Sequence, residues 1–216
     1  YNGTDEYLVR KSVYEARRYD IEPDMSAACY FYAMAAANGI SAVVWGVHSD
    51  IMQGDKKFLD VLCDMGCEME ETPAGIMLTG NGTLKGIDVD MSDFSDQAMT
   101  LAAIAPFAES EVNIRNVGHI RNQECDRLEA IDTALRKMGV ETAVRDDGIL
   151  IRPSKPAAAD IETFEDHRIA MAFAVTGTVY GNINICNPQC CEKTFPEFFN
   201  ILDLITEREI KDEKDN

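Results

Sequence analysis

The stretch RNVGHIRNQECDR, from Arg115 to Arg127, packs three Arg, one His and two carboxylates into thirteen residues. It falls where a β-rich segment gives way to a helical pattern. A helix N-terminus offers free amides and partial positive charge, a natural seat for phosphate or carboxylate. Arg127 follows Glu124 by three residues, a spacing that puts both on one helical face near that end. An exposed pair of that kind contributes little to stability, so the stretch alone fits an anion site or a solvated surface equally well. Two further clusters carry the same chemistry. Asp166-His167-Arg168 opens one helical pattern, and Glu192-Lys193-Thr194 opens another.

The charge balance weighs on that choice. The 216 residues include 20 Lys and Arg against 38 Asp and Glu, a formal charge of −18. Such a surface repels nucleic acid and anionic membrane, so neither is an expected partner. A cluster of cations on this background has to work against the global field, which points to a pocket for a small anion. Seven Cys are present, with no signal peptide and no apolar run long enough to span a bilayer; reduced thiols in the cytoplasm are expected. Cys63 with Cys67, and Cys186 with Cys190 and Cys191, lack the ligand spacing of a zinc site, so no metal is expected.

The elements that must position these clusters repeat. DMSAACYFYAMAAANG, DQAMTLAAIAPFAES and DHRIAMAFAVTGTVYG begin at Asp24, Asp96 and Asp166, 72 and 70 positions apart. Each follows a strand-like stretch (YEARRYDIEP, LKGIDVDMS, ADIETFE) and reads as an Ala-rich apolar helix. Each Asp stands at an N-cap position, the plain reading for Asp24 and Asp166; Asp96 keeps company that suggests chemistry. Then come a β-rich segment (SAVVWGV, EVNIRNV, NINICNP) and a second helix, over 54–65, 124–138 and 193–205. Leu128, Ile131, Leu135 and Met138 mark one buried face of the middle one. Gly66 and Gly139 follow as helix stops. The first two copies end in hairpins turning at Gly75 and Asp147-Gly148. The fold class is therefore α/β, three β-α-β-α-β-β units about a pseudo-threefold axis with the Ala-rich helices central. Lys56 and Lys57, at the corresponding place in unit one, read as an exposed helix face.

The strings SDQAMTLAAIAPFA, RNQECDRLEAI, TFEDHRIAMAFA and CCEKTFPEFF, in this order, resemble the enolpyruvyl transferases over about 24–204, and most nearly the members that act on shikimate 3-phosphate. The resemblance implies an inside-out barrel of three such units in each of two domains, with the active site between them. It implies that residues 21–206 are one of those domains, 1–20 the tail of the other and the crossover, and 207–216 a charged tail. Tyr1, without a Met and close to a strand-like Tyr7–Val9, fits a start within a longer protein. The N-terminal domain of the same protein would then be a required partner, and this chain alone would be inactive.

The implied reaction transfers the enolpyruvyl group of phosphoenolpyruvate to shikimate 3-phosphate with release of phosphate, and needs no cofactor. Asp96 matches the carboxylate at the acceptor hydroxyls, and Glu124 the one at the phosphoenolpyruvate methylene; which is acid and which is base stays open. Arg127, Arg168 and Lys193 match the cations that hold phosphoenolpyruvate, with His167 beside them. The family has Asn where His119 stands and Lys where Gln123 stands, both contacts to shikimate 3-phosphate. Each replacement keeps a hydrogen-bond donor, but Gln123 brings no charge. A UDP-N-acetylglucosamine enolpyruvyl transferase and a non-catalytic relative are the alternatives. Keeping Asp96, Glu124, Arg127, His167, Arg168 and Lys193 together favours catalysis.

Overall fold

A computed structural model describes residues 7–212, with side chains through residue 206. Three helices form its centre: α1 (Met25–Asn38), α3 (Ala98–Ile104) and α5 (His167–Tyr180). Each contacts the other two. Ala33, Ala35 and Ala36 of α1, Ala98, Ala102 and Ala103 of α3, and Ala170 and Ala172 of α5 are inaccessible. Methyl side chains let the backbones approach closely, close enough that Thr176 Oγ1 of α5 donates to the Ala103 carbonyl at 2.8 Å. Asn38 of α1 likewise reaches Thr178 Oγ1 of α5 at 2.9 Å. The middle helix is short because Pro106 tightens its end into a 3-10 turn over Ala105–Phe107.

Each unit folds its strands into a separate sheet outside this centre. Unit two is complete: β4 (Asp88–Asp90) lies parallel to β5 (Val112–Arg115). The hairpin of β6 (Thr142–Arg145) and β7 (Gly148–Ile151) adds antiparallel through β7, in the order β4-β5-β7-β6. Unit one has β1 (Ser41–Val43) and the hairpin β2 (Glu68–Thr72) and β3 (Gly75–Thr79), ordered β1-β3-β2. Unit three pairs β8 (Ala159–Ile161) with β9 (Ile183–Ile185) in parallel. The hairpin turns need glycine for space: a Cβ on Gly148 would sit 2.2 Å from the Ile114 carbonyl oxygen.

The second helices are α2 (Lys57–Asp64), α4 (Arg127–Lys137) and α6 (Phe198–Asp212). Leu128, Ile131, Leu135 and Met138 are all inaccessible, as their spacing predicts. Gly66 and Gly139 follow α2 and α4 with φ of 108° and 79°, the left-handed stop that glycine adopts without strain.

Several expectations need correction. Tyr7–Val9 and the stretch before Asp24 form no strand: residues 7–24 have no regular structure and Tyr7, Leu8 and Val9 are exposed. Among the described residues, unit one therefore has no strand equivalent to β4 and β8. α4 starts at Arg127, not Glu124, because Asp126 caps it by accepting from the Glu129 amide at 3.0 Å. α6 starts at Phe198, not Lys193. Pro196 has no amide to give and turns the preceding residue away from helical angles, so Glu192-Lys193-Thr194 forms a turn instead. The backbone of the expected tail is helical to Asp212; residues 213–216, and residues 1–6 of the expected crossover, lie outside the described residues.

Candidate active site

Asp24 and Asp166 both cap their helices, accepting from Ala27 N at 3.1 Å and Arg168 N at 2.9 Å. Asp166 does more than cap. Its Oδ2 accepts from Arg127 Nε at 2.7 Å, and Cys125 Sγ donates to the same oxygen at 3.6 Å. Two successive left-handed residues, Phe164 (φ 52°) and Glu165 (φ 60°), deliver the chain to this position. Left-handed angles are costly for residues other than glycine, and here they turn Asp166 inward after β8. The Asp166 amide donates back to the Thr163 carbonyl at 2.9 Å, closing the turn.

Arg127, at the first position of α4, is 1% exposed and forms the hub of the site. Nη1 donates to Asp96 Oδ1 at 3.2 Å and to Gln123 Oε1; Nη2 donates to Glu124 Oε2 at 2.7 Å. The two side chains the spacing pairs, Glu124 and Arg127, thus meet, but from a loop and a helix start and with the guanidinium buried. The solvated-surface reading does not hold for Arg127. Arg168 Nη2 binds the other oxygen of Asp96 at 2.8 Å. Lys193 Nζ stands 3.8 Å from Glu124 Oε1 and is 54% exposed, the most open of the cations. His167 Nδ1 lies 3.8 Å from Asp166 Oδ1. His119 Nε2 is 2.8 Å from Ser95 Oγ, next to Asp96.

Seven of the eight residues singled out in the sequence therefore fall in one cluster around Arg127 and Asp166, and His119 reaches it through Ser95, the neighbour of Asp96. The cluster is built by the starts of α4 and α5, the 3-10 turn Ser95–Gln97 and the turn carrying Lys193. Phe195 fixes that last turn by packing edge-on against Phe31 and Phe198, at centroid distances of 6.3 and 5.7 Å. Asp166 is the member the sequence reading left out as a partner. Its N-cap position was visible, but its second role depends on Arg127, 39 positions away.

The electrostatics follow from burial and pairing. Burial alone would lower the pKa of Arg127, yet its bonds to Asp166 and the charges of Asp166, Glu124 and Asp96 outweigh that and raise it. Asp166 is the mirror case: burial pushes it up, and the Arg127 bonds and charge outweigh that to hold it below the usual carboxylate range. His167 is pushed down by burial and then by Arg168, against the opposing pull of Asp166. It is therefore neutral around pH 7. The thiol of Cys125 is raised to about 12 by burial and by Asp166, and burial raises Cys191 to about 12, so neither is a thiolate nucleophile. Among the described residues no group of His, Cys, Asp or Glu is placed to hold a metal ion.

The fold is that of the enolpyruvyl transferases. The solved EPSP synthase of Acinetobacter baumannii superposes with a TM-score of 0.71 at 26% identity, covering 82% of this chain and 44% of that one. The enolpyruvyl transferase NikO from Streptomyces tendae, at 16% identity and a TM-score of 0.59, shares the fold over 82% of this chain and 41% of its own. Residues 3–202 match the family described as EPSP synthase (3-phosphoshikimate 1-carboxyvinyltransferase), and the chain belongs to that family. It is 47% identical over 186 residues to the 3-phosphoshikimate 1-carboxyvinyltransferase of Nostoc punctiforme, covering 86% of this chain and 44% of that protein. The chain spans about half the length of the curated relatives it matches. No helix among the described residues is long and apolar enough to cross a membrane.

Proposed function

We propose that this chain supplies one wall of the active site of a cytoplasmic 3-phosphoshikimate 1-carboxyvinyltransferase, the other wall coming from the N-terminal domain of the same protein. Residues 21–206 make up the domain, and 1–20 the tail of the N-terminal domain and the crossover. The observation that carries the reading is the Arg127 hub: one buried guanidinium holding Asp96, Glu124 and Asp166 while Arg168 and Lys193 flank them. Phosphoenolpyruvate brings a carboxylate and a phosphate, and shikimate 3-phosphate another phosphate. Fixed cations already in position are what such substrates and the departing phosphate require.

The chemistry needs a proton at carbon and a base at oxygen. The acceptor hydroxyl adds to C2 of phosphoenolpyruvate as C3 takes a proton and becomes a methyl group. The tetrahedral adduct then loses a C3 proton and its C–O bond to phosphate, which restores the double bond and releases phosphate. Asp96 takes the hydroxyl proton, and Glu124 carries the proton to and from C3. Arg127 fixes both carboxylates from behind, and Arg168 and Lys193 hold the substrate anions. The long Lys193–Glu124 contact, at 3.8 Å and with the lysine more than half exposed, opens to admit them. Gln123 and His119 face the acceptor phosphate as hydrogen-bond donors.

The test is phosphate release by the full-length protein with phosphoenolpyruvate and either shikimate 3-phosphate or UDP-N-acetylglucosamine. Saturable release with the first acceptor only is expected, and none from the 216-residue chain alone. Turnover by that chain, or by the full-length protein with UDP-N-acetylglucosamine only, overturns the proposal.

A further inference from the structure

One small cavity beside the cluster is not used by the reaction described above. It has a volume of about 50 Å³ and lies between the first turns of α1 and α5, lined among others by Ser26, Tyr30, His167, Arg168 and Thr194. Two of its lining residues carry a buried polar atom with no hydrogen-bond partner among the described residues: the Tyr30 hydroxyl and His167 Nδ1. Tyr30 is 1% exposed and His167 5%. An unpaired buried polar atom is costly to leave without a partner, and a polar cavity needs only about 10–15 Å³ of such space to take a water. Two orphaned atoms on one cavity of this size describe a hydrated site.

We propose that Tyr30 is a positioning residue for His167, acting through an ordered water in this cavity that donates to Nδ1 and so leaves the imidazole proton on Nε2.

The direction of the hydrogen bonds follows from what each neighbour can give. Arg168 lines the same cavity, and a guanidinium can only donate, so it cannot take the phenol hydrogen. The phenol, kept protonated first of all by its burial, must spend its own hydrogen elsewhere. Ser26 directs its hydroxyl to Asp55. A water that accepts from Tyr30 has hydrogens left to donate, and His167 Nδ1 is the acceptor short of a partner. Asp166 does not compete for an Nδ1 hydrogen: Oδ1 is 3.8 Å away, beyond hydrogen-bond range, and the carboxylate is already held by Arg127 and the Arg168 amide. With Nδ1 occupied as an acceptor, His167 presents Nε2–H as a fixed donor suited to an anion, not as a base. That consequence rests on the function proposed above; the tautomer does not.

The chain has three His, so nitrogen-15 NMR of the imidazoles in the ligand-free chain reads the tautomer directly and independently of turnover. Wild-type His167 is expected as the Nε2–H form. Tyr30→Phe removes the phenol oxygen and keeps the ring that packs against Phe198 at 5.7 Å. It should shift the His167 tautomer ratio toward Nδ1–H by about tenfold, the scale of one hydrogen bond, with His48 and His119 unchanged. The charges facing His167, from Asp166, Glu124, Arg168 and Lys193, are the same in both proteins. The wild-type spectrum needs no variant: His167 found as Nδ1–H overturns the proposal. So does a folded Tyr30→Phe chain with His167 nitrogen shifts equal to wild type.

Discussion

Asp166 Oδ2 accepts the Nε hydrogen of Arg127 at 2.7 Å, and neither side chain has more than 1% of its surface open to solvent. The pair joins the start of α5 in unit three to the start of α4 in unit two. Each of its members also touches the wider cluster, so the bond that locks two repeats together also fixes the two carboxylates proposed for catalysis. Removing one partner of such a pair strands the other as a buried charge.

The first prediction separates that role from capping. Asp166→Ala should lower the unfolding free energy of the chain by roughly 3–5 kcal/mol, the cost of breaking a buried ion pair. Asp24→Ala, which removes a comparable cap with no buried partner, should cost about 1 kcal/mol. Urea unfolding of the two variants decides it; equal losses would mean that Asp166 acts as a cap alone.

Stability should fall on the acid side in two stages. The folded pKa of His167 is depressed, so its contribution is fully present above the unfolded value near 6.5 and is lost as pH falls through the lower folded value. Asp166 is also depressed; its contribution is present above about pH 4 and disappears below that. A His167→Gln chain should show a flatter stability profile between about pH 6.5 and 4 and keep the steeper loss below it. Denaturation midpoints across that range check this.

Lys193 is the member that can be removed without disturbing the fold. It is more than half exposed and makes one long contact, to Glu124. Lys193→Ala should change unfolding free energy by less than about 0.5 kcal/mol. In the full-length protein the same change should lower turnover by about 100- to 1,000-fold, the usual size for one charge-stabilising donor. Steady-state kinetics beside a melting curve tests both halves of that statement.

Arg127→Lys should not be a conservative change. One ammonium cannot meet Asp166, Asp96, Gln123 and Glu124 in the geometry of a five-donor fork. Loss of stability together with loss of turnover is expected, in contrast to the Lys193 variant, whose thermal midpoint stays near wild type.

The repeat was legible because it rests on local signals. Asp at N-cap positions, Ala-rich helices, a three-and-four apolar spacing on α4 and Gly stops each act within a few residues. The strand expected before α1 failed because strand propensity in YEARRYDIEP finds no paired neighbour, and those residues stay exposed. Pro196 was in plain view, and it is what moves the start of α6 to Phe198, five residues beyond the expected Lys193. The cluster was legible as a set of types and spacings, but not its centre. That Arg127 is buried, and that Asp166 is its partner, depends on two left-handed residues and a contact across two repeats, which no local pattern encodes.

The central claim is that the Arg127 cluster serves an addition and elimination across the C2–C3 double bond of phosphoenolpyruvate, with the methylene carbon C3 gaining and then losing a proton. Running the full-length protein in deuterium oxide with phosphoenolpyruvate and shikimate 3-phosphate, and reading the product by mass spectrometry, tests this most directly. The transient methyl group should leave deuterium in the product methylene, and Glu124→Gln should abolish product and label together. A folded full-length protein that forms no product with shikimate 3-phosphate, or a product free of deuterium, would contradict the account.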